Sequence, residues 1–147
     1  MGNLTYFVRY ENFLDFYNKH IYSNLCEIDI LIKSKGPIYI EDVSNLLNLE
    51  EGEVNKIMAM EKIDTFNREN FFKIMALGSS YICKLYSREI NCGSPFTYTP
   101  SQIAYIYELD LSAVLDVCFK LNIQEVTSLT LPSIFENISS IWHFYNF

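Results

Sequence analysis

The chain has little of the chemistry that marks an enzyme or a metalloprotein. Its 147 residues include only two histidines, His20 and His143, which lie near opposite ends, and its four cysteines form no CxxC pair. Because structural zinc is held by closely spaced Cys and His ligands, this spacing argues against a metal site. The sequence also lacks GxGxxG, Walker, HExxH and GxSxG motifs. We therefore expect no enzyme activity, no metal and no cofactor.

Long hydrophobic runs and secretion signals are missing as well. No apolar stretch approaches the roughly 18 residues that a membrane helix needs. Residues 1–10 lack the basic region of a signal peptide. The expected location is the reducing cytoplasm, where Cys26, Cys83, Cys92 and Cys118 would be free thiols with a structural, buried role.

Basic residues are scarce in the second half of the chain. Ten of the eleven Lys and Arg residues lie at or before Arg88, whereas six of the eighteen acidic residues follow it. Lys120 is thus the one base in residues 89–147, which carry five of the seven net negative charges. Because Lys and Arg supply most nucleic-acid affinity, an acidic chain needs a local basic patch to bind DNA.

Apolar residues, in contrast, are abundant enough to build a sizeable core. Half of the residues are hydrophobic and a fifth are charged, which is typical of a globular protein and not of a disordered one. The clearest break is the turn-forming segment around Gly93 and Pro95. It divides the chain into residues 1–90 and 91–147, which we expect to share one compact core.

A doubled unit organises the chain, because Ile38–Ile63 returns without a gap as Tyr98–Ile123, sixty residues later. Positions that match in this register are apolar in both copies; they are Val43 and Ile103, Leu46 and Ile106, Leu49 and Leu109, Val54 and Val114, Ile57 and Val117, and Ile63 and Ile123. Each copy predicts a first helix (about 41–47 or 101–107), a tight turn and a second helix. This pattern resembles the helix-turn-helix superfamily in its broad sense. The resemblance implies a regulator.

Helices are also predicted around the two copies. The apolar spacing indicates one helix over residues 12–22, a separate one that includes residues 25–33, and a long helix from Asn67 to about Glu89. Gly78, Ser79 and Ser80 interrupt the long helix and indicate close helix packing or a bend there. The connection between residues 63 and 70 is too short for a full β-wing. The fold expected is mainly α: tandem trihelical helix-turn-helix units with little or no β-wing, closed by a C-terminal apolar helix.

That closing helix is predicted over residues 131–147. Its apolar side chains cover well over half of the circumference, which indicates burial against the body of the protein or against a second copy in a homodimer. Trp142 and Tyr145 would belong to an aromatic interaction surface, because such residues are enriched at protein interfaces.

Two functions compete for the repeated unit. DNA binding has the stronger prior, and its phosphate contacts would come from Lys62, Arg68, Lys73, Lys84 and Arg88. The start of the second helix, however, carries Glu50, Glu51 and Glu53 in the first copy and Leu111, Ala113 and Leu115 in the second. Carboxylates there repel phosphates, and apolar side chains do not read base edges. We therefore expect a small regulatory or adaptor protein that binds a protein partner, such as a basic nucleic-acid-handling protein, with DNA binding as the alternative.

Overall fold

The computed structural model describes residues 12–93 and 95–140, and the regular structure within these ranges is helical. The helices are α1 (Phe13–Phe16), a π-helix (Tyr17–Tyr22), α2 (Ser23–Lys33), α3 (Ile40–Leu47), α4 (Glu51–Glu61), α5 (Arg68–Leu77), α6 (Tyr81–Asn91), α7 (Pro100–Tyr107), α8 (Leu111–Lys120) and α9 (Leu131–Glu136). Extended pairing in these ranges is limited to two isolated bridges, Asn12 with Ser139 and Tyr98 with Val126. The prediction of a mainly α fold is confirmed.

The described chain forms two compact units. One comprises residues 23–91. The other brings residues 12–22 together with the part of the chain that follows Asn91. The sequence-based division at residue 90 had placed residues 12–22 with the first of these units.

In the unit of residues 23–91, the helices pack as neighbours along the chain: α2 on α3, α3 on α4, α4 on α5 and α5 on α6. Each helix turns its apolar stripe inward, which is what the 3.6-residue period of an amphipathic helix predicts. The core side chains are Ile28, Val43, Leu47, Leu49, Val54, Ile57, Ile63, Phe71, Ile74, Met75, Ile82, Cys83 and Leu85. Burial of a Phe, Ile or Leu side chain contributes about 1.5–3 kcal/mol, so this set accounts for the compactness of the unit.

The long helix predicted from Asn67 to about Glu89 is two separate helices, and the chain breaks at the predicted interruption, residues 78–80. Asn67 does cap a helix, since its side chain accepts a hydrogen bond from Asn70 N–H at 2.8 Å, but α5 ends at Leu77. Gly78 then takes an extended conformation (φ −69°, ψ 159°), and α6 begins at Tyr81. A Cβ atom on Gly78 would lie 2.6 Å from Cys83 Sγ, so the break allows α5 and α6 to approach closely.

The second unit has an aromatic core. Phe13, Tyr107 and Phe135 form a cluster in which the ring centroids of Phe13 and Phe135 are 4.7 Å apart and those of Tyr107 and Phe135 are 4.9 Å apart. Both pairs are edge-to-face, which is a favourable arrangement for aromatic rings. Phe13 N–H also donates to Ile138 O at 2.7 Å. These contacts explain why α1 belongs to this unit.

Two further helix predictions need correction. The helix predicted over residues 131–147 ends at Glu136, because the chain then turns and Ser139 pairs with Asn12; residues 141–147 lie outside the described residues. The predicted separation between residues 12–22 and 25–33 is also wrong, since the π-helix leads directly into α2. The Asn24 side chain donates to Leu46 O at 2.8 Å, which joins α2 to α3.

Candidate functional site

Two helix pairs, α3–α4 and α7–α8, follow the sixty-residue register of the sequence. The first helices begin at Ile40 and Pro100, and the second helices begin at Glu51 and Leu111. Their buried positions also match: Val43, Leu49, Val54 and Ile57 in one pair correspond to Ile103, Leu109, Val114 and Val117 in the other. The predicted bounds of these helices are confirmed to within a residue or two.

The turn inside each pair has the same backbone geometry. Asn48 and Glu108 both adopt a left-handed conformation, with φ of 52° and 55°. The next residue in each copy closes the turn, because Leu49 N–H donates to Ser44 O at 3.0 Å and Leu109 N–H donates to Ala104 O at 2.9 Å. A left-handed residue that ends a helix in this way satisfies carbonyls that would otherwise have no intrahelical donor.

The acidic residues predicted for the start of α4 have different environments. Glu50 and Glu51 are exposed, whereas Glu53 is half-buried. The Glu53 carboxylate accepts two hydrogen bonds from Ser79, one from the backbone N–H at 2.8 Å and one from the hydroxyl at 2.7 Å. These bonds join the first turn of α4 to the segment between α5 and α6.

An open groove of about 570 Å³ runs along α4. Its lining residues are Glu50, Gly52, Glu53, Lys56, Ile57, Met60, Glu61, Leu77 and Ser79, and we call it the α4 groove. The lining is mostly apolar, and two large side chains in it are exposed, Met60 to 68% and Leu77 to 52%. Glu50 and Glu53, but not Glu51, thus belong to one surface with three acidic residues and one basic residue.

The second helix of the other pair, α8, has an apolar exposed stripe. Leu111, Leu115 and Phe119 are four residues apart, so they lie on one helix face, and they are 45%, 47% and 86% exposed. The matching positions in α4 are Glu51, Asn55 and Ala59. We call these three residues of α8 the α8 stripe. Ala113, which was predicted to contribute to this surface, is half-buried.

The basic residues named for DNA binding lie on three helices: Lys62 caps α4, Arg68 and Lys73 are on α5, and Lys84 and Arg88 are on α6. Lys73 is within 3.8 Å of Glu69 on its own helix. Arg68 lines a separate pocket of about 230 Å³ that also includes Asp29 and Glu89. Lys84 is exposed on α6, where Arg88 is half-buried one turn later.

Lys62 is at the end of α4, in a left-handed conformation with φ of 55°. Trp142 and Tyr145, which were predicted to form an aromatic interaction surface, lie outside the described residues.

Neither the apolar wall of the α4 groove nor the most exposed member of the α8 stripe was expected from the sequence. Leu77 and Ser79 come from a segment that was predicted to be helical, and Phe119 fits a core position as well as a surface position by periodicity. Two signals were available: Gly78 next to two serines indicates a break, and Met60 is a candidate core or contact residue.

No protein-family model, curated protein or solved structure matches this chain. Its function is therefore inferred from the residues themselves.

Other chemistry in the described residues is limited. Among them, no group of three or more His, Cys, Asp or Glu side chains is placed to hold a metal ion, and no helix is long and apolar enough to cross a membrane. All four cysteines are free thiols, of which Cys83 and Cys118 are buried. Burial raises the pKa of both buried thiols, which keeps them protonated and weakly nucleophilic.

Proposed function

We propose that this chain is a small acidic regulatory or adaptor protein whose two helix pairs are helix-turn-helix units that bind proteins. The observation that carries the proposal is the exposed surface of the second helix in each pair. In a DNA-binding unit this helix enters the major groove, where Arg, Lys, Asn and Gln read base edges. Here the exposed side chains at the start of α4 are the carboxylates Glu50 and Glu51, and Asn55 and Lys56 follow one turn later. On α8 the exposed Leu111, Leu115 and Phe119 form an apolar stripe.

Electrostatics favours a protein partner with a basic surface. Glu50, Glu51 and Glu61 are exposed on or beside α4, and a DNA phosphate near them would be repelled. A partner that itself handles nucleic acid would carry the complementary Lys and Arg residues. The opposite charges would increase the rate of encounter and disfavour unsuitable partners.

The α8 stripe also supports protein binding, because it is an exposed apolar surface. Scattered single hydrophobic residues are normal on a protein surface, whereas three at helical spacing form a continuous patch that association can bury. Such a patch contributes no DNA readout beyond contact with a thymine methyl group.

A direct test compares protein capture with DNA binding. The full chain, bearing an affinity tag, is used to capture partners by cross-linking, and the captured set is compared with that of a Leu115→Glu/Phe119→Glu variant. Ser112→Glu, on an exposed position of the same helix, is the matched control. We expect the stripe variant to lose partners that the control retains.

DNA binding is measured by adding the chain to a labelled duplex at about 0.05 M and 0.2 M salt. Phosphate contacts weaken steeply over this range of salt concentration. Weak binding that does not change when Lys84 and Arg88 are replaced by Glu supports the protein-binding function. Sub-micromolar, salt-steep binding that those replacements abolish would favour the DNA-binding alternative instead.

A further inference from the structure

We infer that the α4 groove binds a basic amphipathic helix supplied by the partner protein. This inference rests on the proposed function, since it names the chemistry of the partner segment. The groove lies wholly within the unit of residues 23–91, so all of its lining belongs to one compact body.

The apolar part of the groove supplies the anchoring surface. Ile57 is buried and belongs to the core, whereas Met60 on α4 and Leu77 at the end of α5 are each more than half exposed to solvent. The groove has a volume of about 570 Å³ and is open to solvent along α4, so apolar side chains of a partner can enter it. Methionine is flexible and polarizable, so Met60 can adapt to apolar side chains of different shapes.

The charges around this surface select a basic occupant. Glu50 lies at the beginning of α4 and Glu61 at its end, and the rise of an α-helix places them roughly 16 Å apart along the axis. Lys56 is the one basic residue in the lining, against three acidic ones. A partner helix of about three turns, with Lys or Arg near both ends and apolar residues between, would complement this arrangement.

The walls of the groove are held in place without a ligand. Both hydrogen bonds from Ser79 to Glu53 connect α4 to the segment that carries Leu77. A preformed groove binds with a smaller ordering cost than one that must assemble. The described residues of this unit contain no strand whose edge would pair with an extended peptide, so a helix that lays its apolar face in the groove is the favoured mode.

The test uses a synthetic peptide and the full chain. The probe is a fluorescein-labelled peptide of roughly 18 residues, long enough to form a helix, with Leu at helical spacing and Lys near both ends. A scrambled peptide has the same composition without the apolar face. Fluorescence anisotropy measures the affinity of the wild-type chain and of the variants Glu50→Lys/Glu61→Lys and Met60→Lys. Glu27→Lys/Glu69→Lys, on exposed positions of α2 and α5, has the same charge change and is the matched control.

We expect the designed peptide to bind with a micromolar dissociation constant and the scrambled peptide to bind at least about tenfold more weakly, as the loss of one anchor implies. Each groove variant should weaken binding about tenfold or more, whereas the control should change it by less than about threefold. Amide chemical shifts provide a second measurement that does not depend on the variants: the peptide should perturb residues of α4 and Leu77 in the wild-type chain.

Equal loss of affinity in the groove and control variants would overturn the inference, because it would show attraction to overall negative charge. Absence of peptide binding would also overturn it. If the Leu115→Glu/Phe119→Glu variant still loses captured partners in that case, the proposed function stands without the groove. If the peptide does not bind and the Leu115→Glu/Phe119→Glu variant captures the same partners as the wild type, the proposed function fails too.

Discussion

Ser79 donates two hydrogen bonds to the Glu53 carboxylate, although Glu53 lies in α4 and Ser79 lies between α5 and α6. The contact joins the second helix of the first pair to the segment between α5 and α6, and both residues line the α4 groove. A hydrogen bond to a charged group contributes about 1.5–3 kcal/mol when it is shielded and less when it is exposed.

We therefore expect Glu53→Ala to lower the free energy of unfolding by about 1–2 kcal/mol. Urea denaturation followed by circular dichroism measures the change. Glu51→Ala is the control, because both carboxylates lie in the first turn of α4 and interact with the helix dipole, so the difference between the variants isolates the Ser79 contact. Equal losses in the two variants would contradict the structural role of Glu53.

A second prediction concerns the two glycines near this contact. A Cβ atom at Gly78 would lie 2.6 Å from Cys83 Sγ and 2.8 Å from Leu49 Cδ1, and both of those side chains are buried and cannot move away freely. Gly78→Ala should therefore destabilise the chain by about 1–3 kcal/mol.

Gly52, on α4, has nothing within 4 Å of the corresponding position. Gly52→Ala should stabilise the helix by up to about 1 kcal/mol, because alanine has the higher helix propensity. Thermal melts of both variants test the contrast. A melting temperature that rises in Gly78→Ala as it does in Gly52→Ala would show that α5 and α6 are not closely packed there.

The parts of the fold that were predictable from the sequence are those with local signals. Thr99 before Pro100 predicts a helix start, and the structure shows Thr99 as the cap with its hydroxyl accepting from Gln102 N–H at 3.1 Å. The Asn67 cap was predictable for the same reason. Helix periodicity and caps depend on residues three or four apart, so a single sequence contains the information.

The helix predictions that were wrong concern features that depend on contacts between residues far apart in the sequence. The local pattern marks an interruption at residues 78–80, but it does not show that Leu49 and Cys83 approach Gly78 closely enough to exclude a Cβ atom. The end of α9 at Glu136 depends on the pairing of Ser139 with Asn12, at the other end of the described chain. Periodicity over residues 131–140 is compatible with a longer helix, and the tertiary contact decides against it.

The charged residues of the candidate site could be predicted from the sequence, whereas its exposed apolar residues could not. The acidic residues of α4 were evident because charge is read directly from the sequence. Leu77, at the end of α5, was not, since only the fold brings it to α4. On α8, Val114, Val117 and Phe119 are all apolar, so the pattern did not show that Phe119 is the exposed one.

A third prediction tests the cap of α7. Thr99 and Gln102 form a reciprocal pair, in which Thr99 N–H also donates to Gln102 Oε1 at 2.9 Å. Thr99→Ala should cost about 1 kcal/mol of unfolding free energy, because it leaves a helix N–H without its acceptor. Ser101→Ala, two positions into the helix and exposed, should change stability by less than about 0.5 kcal/mol. Urea denaturation measures the unfolding free energy of both variants. Similar losses in Thr99→Ala and Ser101→Ala would argue against the stabilising role of the cap.

The fourth prediction concerns the pH dependence that the Cys83 thiol confers. Burial raises its pKa above the ordinary value of 9.0 in the folded chain, and the nearby Glu53 charge acts in the same direction. Above about pH 9 the unfolded chain therefore loses this proton while the folded chain retains it, and stability falls as pH rises. Below that pH both states hold the proton, and the stabilising contribution is fully present.

Cys83→Ala removes this group, so its stability should fall less steeply with pH. At neutral pH the variant should be less stable than the wild type, because it leaves a small cavity beside Gly78. Between pH 8.5 and about pH 10, the difference in unfolding free energy between the wild type and Cys83→Ala should decrease. The decrease is at most about 1.4 kcal/mol per pH unit. Ile74→Val is the control, since it alters the same core without removing an ionisable group. Urea denaturation across this pH range measures the unfolding free energy of each variant relative to the wild type. If this difference is as independent of pH for Cys83→Ala as for Ile74→Val, the thiol ionises equally in the folded and unfolded chains.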